Sequence, residues 1–174
     1  MPTVTRVDDS VSSGETFTIY GVGFDDSSKV YASPITSEKI PEFDELTNKT
    51  ECEIVGKNDT GSAVTVKLNN TLVNGSYNMY VTNSYGSSYA FGLNVARPQW
   101  VSKDAVASGE KFLVYGKNLL SADFGANTKS GVSLVADNGK VYDIPVLTVE
   151  PYSISCVLSD VPAGEYTLYV SNVI

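Results

Sequence analysis

Apolar and polar residues alternate along most of this chain. Phe17 and Ile19 share one face of a short run, as do Val64, Val66 and Leu68, then Tyr77, Met79 and Val81, then Tyr89, Phe91, Leu93 and Val95. The pattern resumes with Phe112 and Val114, with Ile154, Cys156 and Leu158, and with Tyr166, Leu168 and Val170. A period of two marks strands with one buried face, and no stretch sustains a 3.6-residue period for three turns. Gly, Asn, Asp, Ser and Pro clusters interrupt the runs roughly every ten residues, the punctuation of a β-sandwich. Asp137-Asn138-Gly139-Lys140 is the clearest hairpin signal, with Asn-Gly supplying positive φ values. A short helical turn is predicted around Pro41 to Leu46.

The strands come in two copies. Gly14-Glu15-Thr16-Phe17-Thr18-Ile19-Tyr20-Gly21 returns as Gly109-Glu110-Lys111-Phe112-Leu113-Val114-Tyr115-Gly116. Near the end of each copy, Gly75-Ser76-Tyr77 running to Tyr80-Val81-Thr82-Asn83 returns as Gly164-Glu165-Tyr166 running to Tyr169-Val170-Ser171-Asn172. The 174 residues therefore read as two domains, 1–96 and 97–174, the second with its last strand missing. In this alignment Pro98 answers Pro2 and Trp100 answers Val4. The copies differ most in the insert from Ser33 to Thr50, with its acidic Glu42-Phe43-Asp44-Glu45, and in the shorter loop from Ser121 to Gly131. The chain begins at a strand without a secretory leader and stops just after one, as expected of a segment of a longer protein.

Composition removes several functions. A net charge of −8, with 12 scattered basic residues, argues against a nucleic-acid surface. The chain has no His, which excludes Ser-His-Asp and Cys-His catalysis, and no cofactor is expected. No apolar run reaches the roughly 18 residues of a membrane span, so no membrane insertion is expected. Cys52 and Cys156 fall in different copies, and Cys156 matches Val66 at an inward position; both read as buried free thiols.

The order of these motifs resembles the IPT/TIG family of immunoglobulin-like domains. Pro2-x-Val4, Gly14, Phe17 to Phe24, the Val64, Val66 and Leu68 alternation, Gly75-x-Tyr77 and Tyr80-Val81-Thr82-Asn83 with Gly86 carry the likeness in copy one. Pro98-x-Trp100, Gly109, Gly116-Lys117-Asn118-Leu119, Gly164-x-Tyr166 and Val170-Ser171-Asn172 carry it in copy two. The resemblance implies an all-β fold of two tandem early-set immunoglobulin-like β-sandwiches. The stretch from Trp100 to Leu119 is also similar to the region preceding catalytic modules in large secreted bacterial polysaccharide-degrading proteins, which implies an accessory role.

Candidate site residues compete with structural roles. Tyr20 and Tyr115, like Tyr80 and Tyr169, are kept in both copies, so they serve what the copies share, the fold. Trp100 either packs near the boundary or forms a sugar-stacking platform with Tyr31, Tyr85 or Tyr89. Asp8-Asp9, Asp25-Asp26 and Glu42, Asp44 and Glu45 offer oxygens for Ca²⁺ but read as solvated loop charge. The sequence thus points to a monomeric, non-catalytic spacer or accessory region of a secreted or cell-surface bacterial protein. It would position an attached catalytic or adhesive module and contact polysaccharide. The alternatives are a dedicated carbohydrate-binding module of a glycan-degrading enzyme and a protein-binding adhesin segment.

Overall fold

The computed structural model describes residues 1–8, 10–35, 39–72, 75–120 and 130–172. Asp9, Asn74, residues 36–38 of the insert and 121–129 of the second loop lie outside them. The chain divides into two compact units, Met1–Asn94 and Val95–Ile174.

The first unit contains β1 (Thr3–Val7), β2 (Thr16–Val22), β3 (Lys29–Pro34), a 3₁₀ turn (Phe43–Glu45), β4 (Thr50–Lys57), β5 (Ala63–Lys67), β6 (Tyr77–Asn83), β7 (Gly86–Ser87) and β8 (Phe91–Leu93). The strands pair antiparallel in the order β1-β2-β5-β4-β3-β6-β7, with β8 also on β6. β4 serves both layers: Glu53 to Lys57 pair with β5, while Thr50 to Cys52 pair with β3. The layers close on one core, in which Phe17, Ile19, Val64 and Val66 meet Val30, Ala32, Tyr77, Met79 and Val81. These are the inward members of the alternating runs, and burying them drives the layers together.

The second unit contains β9 (Arg97–Val101), β10 (Lys111–Lys117), β11 (Gly131–Ala136), β12 (Val141–Ile144), β13 (Val146–Glu150), β14 (Ser153–Val157) and β15 (Tyr166–Ser171). They form two sheets, β13-β14-β10-β9 and β12-β11-β15, around Phe112, Val114, Val132, Leu134, Ile144, Ile154 and Cys156. Where β4 runs through in the first unit, Pro145 separates β12 from β13 here. Proline has no amide hydrogen to give a ladder, so the strand breaks there and each half joins its own sheet. β6 lies between β3 and β8, whereas among the described residues β15 pairs with β11 alone.

The β11–β12 hairpin departs from its sequence signature. Gly139 has φ 80°, but Asn138 is not among the residues with positive φ. Its side-chain oxygen instead accepts the Lys140 amide at 3.0 Å, and the Gly139 amide closes on the Ala136 carbonyl at 2.8 Å. One left-handed residue suffices because Asn138 bonds to its own turn.

Backbone hydrogen bonds align the copies more securely than residue identity does. Gly14 donates to the Leu68 carbonyl and Gly109 to that of Leu158, at 2.8 and 2.7 Å. Ser12 and Ala107 donate to the carboxylates of Glu15 and Glu110, both at 2.9 Å. A Cβ on Gly21 would stand 2.0 Å from the Thr3 carbonyl oxygen, and one on Gly116 would stand 2.1 Å from that of Arg97. Arg97 is therefore the counterpart of Thr3, Pro98 of Val4 and Trp100 of Arg6. The alignment of Pro98 with Pro2 and Trp100 with Val4 is two residues out. Gaps in the intervening loop hid the shift, which only cross-strand pairing exposes. Both cysteines are buried and free, and Cys156 faces Phe112 across the strands as Val66 faces Phe17.

Candidate functional site

The register places Trp100 directly opposite Tyr115, in the same way that Arg6 stands opposite Tyr20. A bulge separates the Trp100–Tyr115 and Pro98–Gly116 pairs, leaving Gln99 as the extra residue on β9. Such a bulge twists an edge strand and re-aims its side chains. The indole and phenol rings stack with centroids 4.1 Å apart and planes 18° from parallel. Tyr115 is half-buried by this contact, while Trp100 keeps 58% of its surface exposed. In the first unit the same position is a cation–π pair, the Arg6 guanidinium 4.0 Å from the Tyr20 centroid.

The outward face around the pair follows from the ladders. Ser153 of β14 faces Tyr115 from the other side, and Glu150 of β13 faces Ser153. Lys117 lies two residues beyond Tyr115 on the same face and pairs with Arg97. Arg97, Pro98, Gln99 and Trp100 are all exposed. The first unit carries Thr3 and Val22 where the second carries Arg97 and Lys117.

Tyr31, Tyr85 and Tyr89 belong to the first unit, and the ring against Trp100 is that of Tyr115. Tyr85 and Tyr89 are each 78% exposed, beside the short hairpin of β6 and β7. Tyr31 is engaged by the insert instead. Its hydroxyl donates to Glu51 at 3.1 Å, its ring lies 5.2 Å from Phe43, and burial pushes its phenol above the ordinary range. Phe43 also lies 5.7 Å from Tyr80, and the Lys49 ammonium stands 4.0 Å from the centroid of Phe43. The Tyr80 hydroxyl donates to the Pro41 carbonyl at 2.7 Å, so the insert seals Tyr80 to 1% exposure; its counterpart Tyr169 is 56% exposed.

Several of the acidic side chains are held by local structure. The Asp25 carboxylate accepts the hydroxyl of Ser27 at 2.7 Å and its amide at 2.9 Å, and these bonds hold it below its ordinary pKa. Asp26 pairs with Lys57, and Glu45 pairs with Lys39 while its carboxylate accepts the Glu42 amide. Among the described residues no group of three His, Cys, Asp or Glu side chains is placed to hold a metal ion. No helix among them is long and apolar enough to cross a membrane.

Both units are thus immunoglobulin-like antiparallel sandwiches, repeated in tandem in an all-β chain. No family model and no curated protein matches the sequence. Solved structures share the strand arrangement in part. One is a crystal structure with a xylogluco-oligosaccharide (TM-score 0.47, 19% identity, covering 98% of this chain and 37% of that one). A second is SGBP-B from a complex xyloglucan utilization locus in Bacteroides uniformis (0.38, 17%, covering 98% and 46%). A third is SGBP-B of the Bacteroides ovatus mixed-linkage glucan utilization locus, in complex with a mixed-linkage heptasaccharide (0.34, 14%, covering 97% and 39%). This chain spans less than half the length of each, and at such TM-scores none of them lends its function to it.

Proposed function

We propose that the chain is a non-catalytic accessory segment of a larger secreted or cell-surface bacterial protein. It is built of two IPT/TIG-like domains, and the second contacts glycans through Trp100 and Tyr115. The observation that carries this reading is the internal contrast: one scaffold is built twice, and only the second copy places an exposed indole on the outward face of its edge strand. The outer face of Trp100 offers a pyranose ring an apolar surface of matching size, and Gln99 supplies an amide for its hydroxyls. Repeated modules that hold a weak glycan contact beside an attached module raise that module's local concentration at its substrate.

Trp100 is the only Trp, so its fluorescence reports on this surface alone. Titrating the chain with soluble polysaccharides should shift and saturate the emission for at least one of them, and Trp100→Ala should abolish retention on an affinity gel containing that glycan. A silent panel, with retention unchanged by the substitution, would sink the proposal.

A further inference from the structure

We infer that the Trp100 surface takes anionic glycans, with the carboxylate or sulfate seated at Lys117 and the neighbouring Arg97 adding positive potential. This rests on the glycan reading above and narrows it. The six basic and twelve acidic residues of the first unit give −6, and the six basic and eight acidic residues of the second give −2, matching the chain total of −8. The acidity is therefore concentrated away from the unit that carries the indole. Within that unit, the face beside the aromatic pair has exchanged the neutral Thr3 and Val22 of the first copy for Arg97 and Lys117.

The spacing suits such a ligand. Two residues along a strand separate Cα atoms by about 6–7 Å, and paired strands stand about 5 Å apart. A sugar stacked on Trp100 would carry its ring substituents within reach of Lys117 and near Arg97, which pair across the strands and are both exposed residues. Guanidinium and ammonium groups bind carboxylate and sulfate through charge-assisted hydrogen bonds. Glu150 sits in the row of Tyr115, across Ser153, and so repels an anion from the opposite side. The two signs fix the direction in which an acidic residue of the glycan points.

Trp100 fluorescence is followed while the chain is titrated with trigalacturonate (carboxylate), a κ-carrageenan oligosaccharide (sulfate) and cellotriose (neutral), at low salt and at ~0.5 M NaCl. One or both anionic probes should bind about five-fold more tightly than cellotriose, and salt or Lys117→Gln should erase that advantage. Lys117→Gln should leave the thermal melt unchanged, because the side chain is exposed. Equal binding of cellotriose, unaffected by salt or by Lys117→Gln, overturns the inference and leaves the glycan reading standing. No response to any of the three overturns the inference, and a silent polysaccharide panel as well overturns the reading beneath it.

Discussion

Trp100 lies on the ring of Tyr115 at 4.1 Å, at the register position from which Arg6 reaches to 4.0 Å from the ring of Tyr20. The tyrosine is the constant and its cover is the variable. A phenol face accepts a stacked ring or a cation at comparable gain, about 0.5–1.5 kcal/mol in either case. One position can therefore change chemistry without endangering the sandwich.

This gives a first expectation. Trp100→Arg, which installs the residue of the first copy, should change unfolding free energy by no more than about 1 kcal/mol in urea titrations followed by circular dichroism. A loss above about 3 kcal/mol would mean that the indole is part of the core.

The paired glycines should be intolerant. Gly21→Ala and Gly116→Ala each drive a methyl into a neighbouring strand's carbonyl oxygen, at 2.0 and 2.1 Å, and should cost about 1–3 kcal/mol by parting β1 from β2 or β9 from β10. Gly56, with nothing within 4 Å of its added Cβ, is the matched control, and Gly56→Ala should be neutral or slightly stabilising.

Tyr80 and Tyr169 should separate under the same substitution. Tyr80→Phe removes a sealed 2.7 Å hydrogen bond to Pro41 and should cost about 1–2 kcal/mol, lowering the melting temperature. Tyr169→Phe, on a half-exposed ring, should leave it unchanged. Equal effects would contradict the role given to the insert.

Cys156 should impose a pH limit on the second unit. Burial pushes its thiol from 9.0 to about 11, so the unfolded chain releases the proton first as pH rises. Stability contributed by the neutral thiol is whole below pH 9 and is lost progressively towards about pH 11. A two-unit shift corresponds to about 2–3 kcal/mol. Cys156→Val, the residue of the first copy, should flatten this decline in alkaline urea titrations.

The sandwich class was legible because one face of nearly every strand is buried, and burial writes itself as alternation. The inward residues Phe17, Ile19, Val64, Val66, Phe112, Val114 and Cys156 are those the pattern singles out. The equivalence of Trp100 with Arg6 was hidden, because the exposed face of an edge strand constrains side chains weakly and the two strands share almost no residues. Recurrence in both copies reads Tyr115 as scaffold. Its ring is the one beneath Trp100. The only signal available was that 113, 115 and 117 alternate outward. The joining of Tyr31, Phe43 and Tyr80 was equally hidden, since it depends on where the insert folds back.

The break at Pro145 leaves a seam. In the first unit, backbone hydrogen bonds link one layer to the other through β4, like a single cloth folded over. In the second, among the described residues, no ladder crosses between the sheets, and side-chain burial holds the two layers together. Burial weakens on cooling, and pressure disfavours the folded state because unfolding eliminates internal voids. On cooling, the second sandwich should therefore loosen along its seam before the first does.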